Sequence, residues 1–217
     1  MLIALFVMAG NNSVNAQVGK TQKRTAVRKT IKRQQTHQAI DLGLPSGTKW
    51  ANCNVGANKP EEYGDYYAWG ETTTKKEYTK ENYRYYKNWE YVNIGDDISG
   101  TQYDVAHVKW GGKWQMPTQE QIKELFDNCK YEWTTLNGVK GEKFTGPNGG
   151  SIFFPAAGLR WNGDLSDAGE FGYYWSSTQT PDVSASAYNL DFYSGVAYWY
   201  YGGYRGYGLS VRPVVRN

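Results

Sequence analysis

The sequence predicts an α+β domain with a β-rich C-terminal half, and three observations carry that expectation. Aromatic residues are dense for a chain of 217, with Tyr 19, Trp 9 and Phe 7 beside Gly 25, a profile that favours short strands and glycine turns over long helices. Only one segment has strong helical periodicity. Along the rest, short apolar and aromatic runs recur between clusters of Gly, Pro, Asn and Asp. A chain of this length can bury a sound core as one domain, and nothing in it calls for two.

The first residues, MLIALFVMAGNNSVNAQ, run apolar from Leu2 to Ala9, turn polar, and end in Val14-Asn15-Ala16, the small-residue pattern of a signal-peptidase site. Residues 1–16 therefore read as an export signal, which places the mature chain in the periplasm, at the cell surface or outside the cell. The competing reading is an N-terminal core strand; the run is too short to span a membrane. Residues 17–38 form a basic linker carrying Lys20, Lys23, Arg24, Arg28, Lys29, Lys32 and Arg33 with no acidic residue. Such a run can grip nucleic acid or anionic lipid, but behind an export signal a solvated linker is the plainer reading. From Asp41 on, 17 Lys and Arg stand against 21 Asp and Glu. The domain at 39–217 is thus mildly acidic, which argues against nucleic acid as its partner, and no transmembrane segment is expected in the mature chain.

Within the domain the stretches TKWANCNV, DYYAWG, SIFFPAAG, GYYWSS, SAYNLDFY, GVAYWYY and LSVRPV read as strands. In SAYNLDFY, Tyr188, Leu190 and Phe192 alternate with Asn189, Asp191 and Tyr193, so one face is expected inside and the other outside. Residues 72–103 are polar and read as a long surface loop. The helix falls in MPTQEQIKELFDNC, where Thr118 is the N-cap and Gln121, three residues on, completes a capping box. Ile122, Leu125, Phe126 and Cys129 then recur at helical spacing on one core-facing stripe. Cys53 and Cys129 are the two cysteines. In an oxidising compartment they permit one disulfide, worth on the order of 4 kcal/mol by chain entropy; two buried thiols acting as small hydrophobes is the equal alternative.

The residues that usually do chemistry are sparse. His37, in the linker, and His107, in DVAHVKW, are the two histidines, and His107 reads as a packed scaffold residue rather than a general base. No metalloprotease, nucleophile-elbow, phosphate-loop or paired-cysteine motif is present, and no spacing resembles a calcium loop, so neither metal nor cofactor is expected. Asp164, Asp167, Glu170, Asp182 and Asp191 remain as carboxylates that a glycan-cleaving enzyme could pair as acid and base, although in glycine-rich turns such residues are more often solvated.

From Asp191 to Gly208 the chain reads DFYSGVAYWYYGGYRGYG, with Tyr193, Tyr198, Tyr200, Tyr201, Tyr204, Tyr207 and Trp199 among five glycines and only two charges. Tyr and Trp give large amphipathic contact area at small entropic cost while Gly lets loops adapt, the composition of antibody binding loops. Core or cross-strand ladder positions are the competing account of these rings. Burying all of them would require partners for many hydroxyls, so an exposed ligand surface is the more economical arrangement.

LPSGTKWANCNVGA, WGGKWQMPTQEQIKELFDNC, SIFFPAAGLR, GYYWSS and SVRPV occur in that order, and together they resemble the Fibrobacter succinogenes major paralogous domain family over about residues 39–215. The resemblance implies a C-type-lectin-like, formylglycine-generating-enzyme-like fold in a secreted or surface protein. The chain also resembles the variable proteins of diversity-generating retroelements, in which a C-terminal lectin-like segment is rewritten at adenine positions of a template repeat beside the gene. Tyr, Ser, Gly, Val, Ala, Asp and Phe, which fill much of 191–207, are all reachable from an asparagine codon by such changes. In that reading the six tyrosines are variable contacts, and Trp175, Arg212 and Pro213 are fixed scaffold. Two departures limit what carries over. No cysteine follows Cys129, so the oxidising activity of the formylglycine-generating enzymes is not implied, and the Glu-Pro-Asn or Gln-Pro-Asp triplet of calcium-dependent lectins is missing. The expectation is an exported, non-enzymatic adhesion or binding protein for an unidentified protein or glycan on a cell or phage surface. A glycan-cleaving enzyme and a structural or fimbrial subunit are the rivals.

Overall fold

The computed structural model describes residues 37–216; the export signal at 1–16 and linker residues 17–36 lie outside the described residues. The described residues form an α+β fold of small antiparallel sheets with two helices. In order, the elements are β1 (Ala39–Asp41), β2 (Lys49–Ala51), β3 (Tyr86–Lys87), β4 (Glu90–Tyr91), α1 (Val105–Trp110) and α2 (Gln119–Asn128). They continue with β5 (Lys130–Leu136), β6 (Val139–Thr145), β7 (Ser151–Pro155), β8 (Leu159–Trp161) and β9 (Asp164–Ser166), then β10 (Phe171–Gln179), β11 (Ser186–Tyr193), β12 (Val196–Tyr204) and β13 (Val214–Val215). Of the linker expected at 17–38, His37 and Gln38 belong to the folded body. The His37 imidazole stacks on Trp110 at 3.5 Å between ring centroids, and the Gln38 carbonyl accepts from the Asn52 amide at 3.0 Å.

Helix α2 is built as its sequence predicts. Thr118 Oγ1 accepts from the Gln121 amide and Gln121 Oε1 accepts from the Thr118 amide, closing the capping box. Ile122, Leu125 and Cys129 face the larger core with Trp50, Phe144, Phe154, Tyr174, Leu190 and Phe192, and Phe126 packs at its edge. A second core joins Val55, Tyr67, Trp69, Ile98, Val105, Met116, Trp175, Leu209 and Val211. A third gathers the tyrosines Tyr66, Tyr78 and Tyr83 around Ala68. The sheet β10-β11-β12 stands between the first two, giving Tyr174, Leu190 and Phe192 to one and Trp175 and Ala187 to the other. Gly172 permits this, because a Cβ there would fall 2.1 Å from the Phe192 ring.

Several expectations need correction. DYYAWG is not a strand; it runs irregularly between Gly64 and Gly70, both at positive φ, and touches the sheet system through one bridge from Tyr67 to Leu209. LSVRPV makes isolated bridges from Leu209 to Tyr67 and from Ser210 to Tyr174, and joins a sheet only at Val214, which meets Trp50 of β2. The loop expected at 72–103 holds the short β3-β4 hairpin. The alternation in β11 does not leave one face exposed: Leu190 and Phe192 enter the larger core, Ala187 and Asn189, opposite Trp175, are buried on the other side, and Tyr188 is only half-buried. Cys53 and Cys129 form no disulfide: both thiols are free and buried, Cys53 Sγ donating to the Ala57 carbonyl at 3.4 Å and Cys129 capping α2 within the larger core. Burial pushes the Cys129 thiol up to about 11 and raises Cys53 as well, so both stay protonated.

Candidate functional site

Strand β12 follows β11 through a tight turn at Ser194-Gly195, with Gly195 at φ 80, and pairs from Tyr193 opposite Val196 to Ser186 opposite Tyr204. Asp191 stands opposite Tyr198 and Asn189 opposite Tyr201, so β12 fits three steps where β11 takes two. That bulge puts Tyr198 and Tyr201 on the same face as Asp191 and leaves Tyr200 at the extra position. The consequence is a run of rings at the outer edge of the sheet. Tyr198 lies 4.9 Å from Tyr201 and 5.8 Å from Tyr200, Tyr200 and Tyr201 are 4.8 Å apart, and Tyr193 joins them 6.5 Å from Tyr198. Tyr200 and Tyr201 are 49% and 48% exposed; Tyr193 and Tyr198 are half-buried. Phe171 of β10 extends the run, 4.9 Å from Tyr193. A hydrogen bond with Tyr193 raises the Tyr198 phenol, with smaller contributions from its tyrosine neighbours.

The remaining predicted residues lie at the margin of this group or apart from it. Trp199 turns to the opposite face, packs on the larger core with Ala197 and carries the Lys123 ammonium 5.3 Å over its ring, while that ring meets Tyr200 edge-on at 5.5 Å. Its expected role as an exposed contact is corrected to that of a half-buried one between the core and the tyrosine group. Tyr204 and Tyr207, both half-buried, form a second aromatic group with Trp161 of β8, at ring separations of 5.5 and 4.8 Å from Trp161 and 5.3 Å from each other. Tyr91 of β4 ties this group to the β3-β4 hairpin, donating its hydroxyl to the Tyr204 hydroxyl at 2.6 Å. Trp161, Tyr91 and Phe171 were not anticipated as site residues, and neither was Trp89, which is 89% exposed at the hairpin tip. The Lys-Asn-Trp-Glu step between two tyrosines is the sequence signal for that tip. The scaffold expectation fits the burial: Trp175 is fully buried with Nε1 donating to the Tyr67 carbonyl at 2.8 Å, Arg212 is fully buried and Pro213 is buried.

Among the carboxylates, Asp164 is exposed at the start of β9, and Asp167, Glu170 and Asp182 are exposed on loops and turns. Asp191 is half-buried at the floor of the Tyr198 group, where burial pushes its carboxyl up to about 6. Burial also raises the opposing Tyr173 phenol, helped by the charges of Asp191 and Asp167. His107, half-buried in α1, makes its described hydrogen bonds through the backbone; its amide donates to N-cap Asp104 at 3.0 Å. No group of three or more His, Cys, Asp or Glu side chains gathers as a cation site among the described residues. None of the described helices is long and apolar enough to cross a membrane.

Comparison with known proteins adds a family. The family described as "Domain of unknown function (DUF8237)" matches residues 77–214. No curated protein and no solved structure matches the chain. The chain belongs to the DUF8237 family.

Proposed function

We propose that this DUF8237 chain is an exported, non-catalytic recognition protein. On this reading a C-type-lectin-like scaffold displays a tyrosine surface to a protein or glycan on a cell or phage surface. The observation that carries the reading is the exposure of Tyr200 and Tyr201 at the outer edge of β12, contiguous with Tyr198, Tyr193 and Phe171. Rings held by a strand keep few rotamers to lose on binding, and their hydroxyls supply hydrogen bonds at the rim. Trp161, Tyr204, Tyr207 and the exposed Trp89 add further aromatic area. Rewriting by a retroelement is physically tolerable at this edge, since Tyr200 and Tyr201 lie outside all three cores while Trp175, Arg212 and Pro213 lie within the fold.

The test applies the purified chain and its Tyr200→Ala/Tyr201→Ala variant to a glycan array and to immobilised bacterial cells and phage particles. The double variant is expected to lose at least about tenfold in affinity, roughly 1.4 kcal/mol or more, with an unchanged thermal midpoint. Equal binding by the two proteins overturns the reading. So does release of reducing sugar from any array glycan, which would favour the carboxylate enzyme, and so does spontaneous assembly without binding, which would favour a structural subunit.

A further inference from the structure

Two side-chain oxygens on the tyrosine face of the β10-β11-β12 sheet meet no donor among the described residues. They are Oδ1 of Asn189, a residue 4% exposed, and Oδ1 of half-buried Asp191. The two residues are two positions apart on β11 and stand opposite Trp175 and Tyr173 in a regular stretch of the β10 ladder, so they share a face. A buried acceptor without a donor is destabilising by about 1–3 kcal/mol, and more when charged. An incoming N–H therefore gains at both.

Tyrosines flank the carboxyl along the ladders. Tyr173 and Tyr198 are the cross-strand neighbours of Asp191, Tyr193 lies two residues along its strand, and Tyr201 stands opposite Asn189. The segment's charge has one sign: from Trp161 to Tyr204 the sequence carries Asp164, Asp167, Glu170, Asp182 and Asp191 with no Lys or Arg. The cations around it are committed elsewhere: Arg160, the residue before it, lies 5.1 Å over the Tyr66 ring. Lys123 sits over Trp199 on the other face and pairs with Asp127, while Arg205 is buried with its donors spent inside the fold. Asp191 is in none of the ion pairs formed among the described residues.

We infer that this face seats a cationic side chain of a partner polypeptide, a lysine ammonium or an arginine guanidinium, set on Asp191 and Asn189 and ringed by Tyr173, Tyr193, Tyr198 and Tyr201. The inference rests on the reading of the face as a recognition surface and names the chemistry it selects. Aromatic faces attract a cation through their quadrupole, and a carboxylate beneath them supplies the opposite charge. The two acceptors demand N–H donors, which a quaternary ammonium headgroup does not have. A neutral glycan leaves the Asp191 charge unanswered.

The experiment titrates the whole chain by calorimetry with amidated tetralysine, with its Nζ-acetylated form and with its Nζ-trimethylated form. Tetralysine is expected to bind with an affinity that falls as salt rises, the trimethylated peptide at least several-fold more weakly, and the acetylated peptide not measurably. Asp191→Asn is expected to weaken tetralysine at least tenfold, while Asp182→Asn, an exposed loop carboxylate of the same segment, leaves it unchanged. Equal binding of the acetylated or trimethylated peptide by the unaltered chain overturns the inference without requiring any variant to fold, as does tetralysine binding that ignores Asp191→Asn in a protein with an unchanged thermal midpoint. Failure here leaves the array result with the double tyrosine variant standing. Failure of that result with tetralysine still selected at Asp191 would instead remove the tyrosine platform and keep the cation seat.

Discussion

Glu142 lies on β6 between Trp133 of β5 and Phe154 of β7, fully buried, and neither of its carboxylate oxygens meets a donor among the described residues. It shares the core-facing side of the strand with Phe144, two residues on. Burial, with a smaller push from the charge of Glu132, raises its carboxyl to about 7. A raised carboxyl means that the folded state holds a proton that the unfolded chain releases above about 4.5. The contribution of Glu142 is therefore most favourable below about pH 4.5 and declines as pH rises to about 7, beyond which it is constant. Glu142→Gln, neutral throughout, is expected to raise stability relative to the native chain by up to about 3 kcal/mol at pH 8, with the difference vanishing near pH 4. Urea denaturation of both proteins at pH 4, 6 and 8 measures this, and a pH-independent gap would mean that Glu142 is not the titrating group. Nothing in VKGEKFT marks this residue beforehand, because a lone Glu between lysines reads as solvated until the partner strands are placed.

The β3-β4 hairpin turns through Asn88 and Trp89 at φ 52 and 68, left-handed values that Asn tolerates and that a bulky ring adopts at a penalty. No core holds Trp89 there, since its side chain is 89% exposed. Strain kept at an exposed position points to use at the surface, and Trp89→Gly separates the two roles. Stability should hold or rise by up to about 1 kcal/mol, because Gly takes this conformation freely, while binding to the cells, particles or glycans that retain the native chain should fall. A thermal midpoint lowered by more than about 5 °C would instead make Trp89 a folding residue. How well each element could be read from sequence follows from where its information lies. Helix α2 was legible because its cap and its periodicity are both local. The β5-β6 hairpin is equally local, carried by Asn137-Gly138, both at positive φ. The bulge in β12 and the burial of Asn189 were not legible: the extra residue between Tyr198 and Tyr201 shows only once the ladder is paired, and Asn189 lies inside only because its face of β11 meets Trp175. The tyrosine edge was therefore predicted as a composition, and its membership had to come from register, which moves Trp199 to its margin and brings in Asp191 and Tyr173.

Two buried arginines hold distant parts of the chain together. Arg212 donates to Asn54 Oδ1, the Ala51 carbonyl and the Phe153 carbonyl, and burial pushes its guanidinium down to about 10. Arg205 donates through Nε to the Tyr83 hydroxyl, through Nη1 to Gln179 Oε1 and the Ser184 carbonyl, and through Nη2 to the Val92 carbonyl, with its plane 4.7 Å over Trp69. The sequence offered Arg212 as scaffold but showed Arg205 only as one charge among tyrosines, because its partners lie 21 to 122 positions away. Removing Arg205 leaves the buried Tyr83 hydroxyl, and the part-buried carbonyls of Val92 and Ser184, without their donor. Arg205→Met is thus expected to destabilise the fold by about 3–5 kcal/mol, a fall of roughly 6–20 °C in thermal midpoint. Val92 follows Tyr91, whose hydroxyl reaches Tyr204, so the same change should release the hairpin from the aromatic surface. Hydrogen exchange should then report faster exchange at the amide of Val92, which donates to the Tyr85 carbonyl, than at that of Ile122 in α2. The Tyr200→Ala/Tyr201→Ala protein should change binding with its midpoint intact, whereas Arg205→Met should lose both together. If Arg205→Met kept its midpoint within about 2 °C, the guanidinium would not be the tie that joins hairpin and sheet.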